Sequence, residues 1–147
     1  GRLVLADALT YAKRYEPELV IDIATLTGAS AAITGSYGIS VLGNAEEQMA
    51  ALSQAGEEVY ERLIPLPLWK EFGDLLKSDI ADLKNIGGPV AGVSTAAKFL
   101  EHFTDYPWIH LDIAGASFVE KASGYRQAGA TAAPVRLLYQ FIKNKMN

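Results

Sequence analysis

The sequence predicts an α/β protein on three observations. Trp108 to Ile113 alternates with the period of a strand, placing Ile109, Leu111 and Ile113 on one side and Trp108, His110 and Asp112 on the other. Leu19 to Ile23 is a second β-type run, and it ends in the hydroxyl-rich turn Ala24-Thr25-Leu26-Thr27-Gly28. A polar, tight turn directly after a buried-looking strand is where an α/β sheet presents its ligand-facing edge. The third observation is the helical spacing of the segments between the strands.

Taken in order, the first helix spans 3–15, with Leu5, Ala8, Leu9 and Ala12 inward and Glu16-Pro17 as its stop. After the strand 19–23 and its turn, 27–34, with Gly28-Ala29-Ser30-Ala31-Ala32, is a stretch of residues small enough for a helix packed closely on neighbouring backbone. The next strand is 37–42, ended by Gly43, and Asn44 is a candidate N-cap with Glu47 completing a capping box. Met49, Leu52 and Val59 give the following helix its apolar stripe. Pro65 and Pro67 then exclude a central strand, and 69–72 reads as a short helical turn. Residues 87–92, with three glycines and a proline, form a surface loop or lid. Ser94 or Thr95 caps a helix carrying Ala96, Phe99, Leu100 and Phe103 inward. Beyond the strand at 108–113 comes a second small-residue turn, Ala114-Gly115-Ala116-Ser117, and a polar loop over 124–133. Pro134 opens a last helix with Val135, Leu138 and Ile142 inward, and 143–147 frays.

The totals narrow the function classes. With 147 residues, half of them hydrophobic, the chain can bury the core of one domain. Thirteen Lys and Arg against 17 Asp and Glu leave a net charge of -4 with no basic tract, which argues against a nucleic-acid partner. The absence of cysteine removes disulfides, thiolate metal sites and cysteine nucleophiles together and agrees with a reducing compartment. No apolar run approaches the roughly 18 residues of a membrane span. The chain starts Gly1-Arg2-Leu3 and enters a helix at once, which points to a piece of a longer polypeptide.

Chemistry-bearing residues are few. The glycines form neither a dinucleotide fingerprint nor a phosphate loop, and no HExxH is present. Asp79 and Asp82 share a helical spacing that suits a metal only if further ligands converge; a solvated or capping pair is the plainer reading. His110 reads as a hydrogen-bonded structural residue before it reads as a base, and His102 as a surface residue. Asp22 and Asp112 each interrupt an apolar strand, where a carboxylate needs partners: backbone amides, Arg2 or a histidine for a structural network, or a substrate or metal for a functional one. Thr25 and Thr27 serve equally as turn formers and as ligand-binding hydroxyls.

Five blocks, GRLVLADAL at 1–9, DIATLTGA at 22–29, SDIADLKN at 78–85, TAAKFL at 95–100 and WIHLDIAG at 108–115, together resemble the C-terminal catalytic domain of the leucyl aminopeptidase family, the two-metal peptidases. The resemblance covers almost the whole chain and makes 1–147 a partial catalytic domain of that kind. It implies a twisted mixed sheet flanked by helices, a cytoplasmic homohexamer, and release of N-terminal residues from peptides through two zinc or manganese ions. It further implies that Arg2, matching the arginine of an NTDAEGR signature, holds a bicarbonate that shuttles protons. By the same correspondence Thr25, Leu26 and Gly28 contact substrate, and Ala114 and Ser117 line the first side-chain pocket. Asp22 and Asp112 would not be metal ligands. The family's metal carboxylates and catalytic lysine would precede Gly1, so the chain by itself is expected to hold no metal pair and to be inactive. Ala130-Thr131-Ala132-Ala133-Pro134 departs from the GRP-type sequence of many relatives and puts only that loop's geometry in question. A non-catalytic scaffold or interaction module with the same packing motifs is the alternative.

Overall fold

The computed structural model describes residues 1–146. Helix α1 (Arg2–Ala12) continues into a short 3-10 turn, and β1 (Val20–Ala24) and α2 (Gly28–Thr34) follow. Next come β2 (Ile39–Gly43), α3 (Glu46–Val59), β3 (Leu63–Pro65) and α4 (Lys70–Asp74). Helix α5 (Gly92–Glu101) leads to β4 (Trp108–Asp112), the short strands β5 (Phe118–Val119) and β6 (Gly129–Ala130), and α6 (Val135–Lys145). The main sheet has the order β1-β4-β2-β3, with β1 parallel to β4, β2 antiparallel to β4, and β2 parallel to β3. It is therefore a mixed sheet flanked by helices, as expected.

Alternation along β4 divides the core. Trp108 and the β2 residue Leu42 pack with Ala6 and Leu9 of α1 and Val93, Ala97 and Leu100 of α5. On the opposite face Ile109 and Leu111 pack with Ile39 and Val41 of β2, Leu52 and Ala55 of α3, and Leu137 and Phe141 of α6. All five residues of β4 are buried because this central strand has helices on both faces. β3, with its proline, lies at the sheet edge, where a missing donor is tolerated.

Several helix ends differ from the sequence reading. Asn44 does not cap α3; Ala45 holds that position. The Asn44 side chain instead prolongs the β2–β4 pairing, accepting the Trp108 N–H at 2.7 Å and donating to the Tyr106 carbonyl at 3.1 Å. Ser94 and Thr95 lie inside α5, which begins at Gly92 after a left-handed Ala91. The Ser94 hydroxyl donates to the Pro67 carbonyl at 2.9 Å and Thr95 bonds back to Ala91 at 3.2 Å. In α6 the inward residues are Leu137 and Phe141, whereas Val135 and Ile142 are exposed and Leu138 is half-buried. The helix is rotated from the expected phase, with Leu137 and Phe141 packed against Leu52 and Ala55 of α3, and its first turn is held by Glu61, which accepts the Leu137 N–H at 2.8 Å. Ala6 replaces Ala8 on the buried side of α1. The loop over 124–133 contains β6, which pairs with β5. The last helix runs through Lys145 rather than fraying at 143, and Asn147 lies outside the described residues.

Candidate substrate-binding edge

β1 and β4 run parallel with Ala24 beside Asp112, so both chains leave the sheet at the same edge. The turn at 25–28 follows one strand and the turn at 114–117 follows the other. Thr25 and Gly28 are exposed, while Leu26, Ala114 and Ser117 are half-buried. The five residues expected to line a substrate pocket thus sit on two adjacent turns.

Asp112 joins those turns. Its Oδ1 accepts the Leu26 N–H at 3.1 Å and the Ala114 N–H at 3.2 Å. Its Oδ2 accepts the Thr27 N–H at 3.1 Å and the Thr27 hydroxyl at 2.7 Å. The Thr27 oxygen also accepts the Ser30 N–H at 3.0 Å, capping α2, and the Ser30 hydroxyl donates to the Asp112 carbonyl at 3.1 Å. A second bond between the turns runs from the Ile113 N–H to the Ala24 carbonyl, 3.0 Å. With the N–H groups of Leu26, Thr27 and Ala114 spent inside the protein, none of the three is free to steady a developing oxyanion. Thr27, a candidate ligand contact in the sequence, is committed to this network.

Asp22 belongs to a separate network. It accepts the Trp108 indole N–H at 2.6 Å and bonds His110 Nδ1 at 2.6 Å. With the Asp22 carboxylate as acceptor, Nδ1 is the donor of this bond, and among the described residues the buried Nε2 has no hydrogen-bond partner. Both strand carboxylates are satisfied by protein donors, Asp112 by backbone amides and a hydroxyl, Asp22 by a histidine and a tryptophan; Arg2 partners neither. His102 is exposed, as the sequence suggested.

Arg2 begins α1, and its guanidinium lies 6.0 Å from the Phe99 ring centre. Half-burial draws its pKa down from the ordinary arginine value, although a guanidinium stays charged at neutral pH. No carboxylate pairs with it among the described residues. It is not bonded to either turn, but Phe99 and Leu26 pack into the same apolar cluster.

Glycine sets the distance between the turns. A Cβ on Gly115 would lie 2.1 Å from the Gly35 carbonyl oxygen and 2.7 Å from the Thr34 hydroxyl. Only a bare backbone lets the second turn settle against the end of α2. A Cβ on Gly28 would meet nothing within 4 Å. The sequence reading missed this contrast, and it missed the role of Asp112 as the knot, because neither shows in local spacing.

Among the described residues no three His, Cys, Asp or Glu side chains converge as a metal site. Asp79 and Asp82 are exposed and gather no further ligands. The residues present therefore do not supply the ligand set for a metal pair. A cavity of about 260 Å³ lies to the side, between Tyr37, Tyr60, Arg62, Tyr125, Arg126 and Arg136, and shares only Ala116 with the second turn.

The model of the cytosol aminopeptidase family, catalytic domain, matches residues 1–139. A probable cytosol aminopeptidase of Geobacter sulfurreducens is 51% identical over 144 residues, covering 97% of this chain and 29% of the relative. One from Stutzerimonas stutzeri is also 51% identical, over 148 residues, covering 100% of this chain and 29% of the relative. The solved structure of the bottromycin maturation enzyme BotP in complex with Mn superposes with a TM-score of 0.93 at 31% identity, covering the whole of this chain and 34% of that one. The chain thus spans about three tenths of the length of these curated relatives.

Proposed function

The chain belongs to the cytosol aminopeptidase family, and from that membership we propose that it is the C-terminal part of the catalytic domain of a metal-dependent aminopeptidase. The activity is release of N-terminal residues from peptides in the cytoplasm. It belongs to the whole protein, in which two divalent ions, zinc or manganese, are held by residues outside these 147. That BotP was solved in complex with Mn supports a metal of this type.

This chain's share is to bind and orient. The turn containing Thr25, Leu26 and Gly28 faces the one containing Ala114 and Ser117 across the edge shared by β1 and β4, and a peptide's first side chain lies between them. Arg2 is a charged, half-buried group with no carboxylate partner among the described residues, the environment in which a bicarbonate is held. A homohexamer is the assembly proposed for the whole protein. The observation that carries this reading is the pairing of two partly exposed turns by one buried carboxylate at a single sheet edge.

The test is leucine-anilide hydrolysis with manganese or zinc by this 147-residue chain and by the whole protein, both verified by intact mass. Activity in the whole protein alone is expected. Comparable activity in the short chain would overturn the assignment of metal ligands to other residues, and silence in both would favour a non-catalytic scaffold.

A further inference from the structure

We infer that Asp112 is a positioning residue that sets the side-chain selectivity of this edge by fixing the spacing and orientation of its two turns. The inference rests on the aminopeptidase reading for the identity of what is selected, but the geometry stands apart from it.

Asp112 is fully buried, and it accepts four hydrogen bonds: three from backbone N–H groups and one from a hydroxyl. A carboxylate has lone pairs for all four, two on each oxygen. Every donor comes from one of the two turns, and each oxygen is used differently. Oδ1 reaches across both turns, to Leu26 and Ala114, while Oδ2 holds Thr27 alone. This carboxylate therefore ties the two turns to each other. Asp22, in the neighbouring strand, is an instructive contrast: also buried, it bonds only the side chains of Trp108 and His110 and touches neither turn. Of the two, only Asp112 is built into the walls of the site.

An asparagine at 112 keeps the shape but replaces one accepting oxygen with a donating NH2. That group must then face either the Leu26 and Ala114 N–H groups or the Thr27 N–H, and donor opposes donor in both rotamers. The walls part on one side. Displacements near 1 Å in a site cost on the order of 100-fold in rate, and the effect here falls first on how well a side chain fills the gap.

The experiment compares kcat and KM of the whole protein on leucine and alanine anilides, together with amide hydrogen exchange of segments 24–28 and 113–117. Asp112→Asn is expected to narrow the leucine-over-alanine ratio of kcat/KM by about 10-fold, chiefly through KM, and to speed exchange in both segments. Thr27→Val, which removes the hydroxyl donor to Asp112 and with it the cap on the Ser30 N–H, moves the ratio in the same direction by less and speeds exchange in 113–117, a segment the cap does not touch, and Thr27→Ser restores both; this pair decides the matter if Asp112→Asn does not fold. Asp22→Asn, a control of similar burial, leaves the ratio and both segments unchanged. An unchanged ratio in Asp112→Asn and Thr27→Val, or an equal change in Asp22→Asn, overturns the inference. If the wild-type whole protein hydrolyses neither anilide, it is the aminopeptidase reading that fails, and hydrogen exchange alone then decides whether Asp112 holds the turns: protection retained in Asp112→Asn overturns that too.

Discussion

Two glycines on the candidate edge separate packing from function. Gly28→Ala adds a methyl where nothing lies within 4 Å, at the first residue of a helix. It should leave stability unchanged or raise it by up to about 1 kcal/mol, through helix propensity and a less free unfolded chain. If the turn faces substrate, the same methyl should raise KM. Gly115→Ala drives a methyl into the Gly35 carbonyl at 2.1 Å and should cost about 1–3 kcal/mol, read as a lower denaturation midpoint with an unaltered m-value. Sequence spacing marks both glycines as parts of turns, but only the packing partner at the end of α2, far away along the chain, tells them apart. Tyr106 supplies a pH dependence of its own. Its hydroxyl donates to the Leu9 carbonyl at 2.5 Å, and burial, then Asp105 and Asp22, push its pKa above the ordinary tyrosine value. The native state keeps this proton where the unfolded chain releases it. Its stabilisation is accordingly full below about pH 10 and is lost as pH rises from there through the raised native value. Tyr106→Phe should lower stability at neutral pH by about 1 kcal/mol and flatten the loss above pH 10, both measurable by urea denaturation across pH.

Among the elements, the strands at 20–24 and 108–112 were legible to within a residue or two because alternation and β-branched content are local signals. Helix phases and caps were less so, and α6 shows why. Its start is held by Glu61, which accepts the Leu137 N–H at 2.8 Å and the Arg136 Nε–H at 3.1 Å from a position 76 and 75 residues earlier, respectively. A carboxylate at a helix N-terminus satisfies an orphan donor and complements the dipole. No residue within α6 announces it, so the apolar pattern alone put Val135 and Ile142 inward where Leu137 and Phe141 belong. Glu61→Ala should destabilise the chain by about 2–3 kcal/mol, since a buried charged acceptor is lost and the Leu137 donor is orphaned. Glu61→Gln, which keeps one acceptor, should recover part of that. Hydrogen exchange localised to α6 would distinguish loss of this cap from general loosening.

Across the whole molecule, the sheet order β1-β4-β2-β3 places the first and fourth strands in sequence side by side, and that crossover brings the two turns together. Composition and periodicity predicted an α/β protein; the mixed sheet came from the resemblance, which weighs several blocks at once. Metal ligation is the property this scale decides. The chain covers 29% of the curated relatives, and among its described residues no three ligand side chains converge. A ligand stabilises a fold only by binding the native state better than the unfolded one, by RT ln(1 + [L]/Kd). With no convergent ligand set among the described residues, Mn at about 100 times the Kd of a real site, which would contribute about 2.7 kcal/mol there, is expected to contribute nothing here. Differential scanning of these 147 residues should show a Tm that neither added Mn nor a chelator moves. The whole protein should gain several degrees with metal and lose them, together with its activity, on chelation. A metal-dependent Tm in the 147-residue chain would reveal a native-state site of its own and send the search back to Asp79, Asp82 and the unpartnered Nε2 of His110.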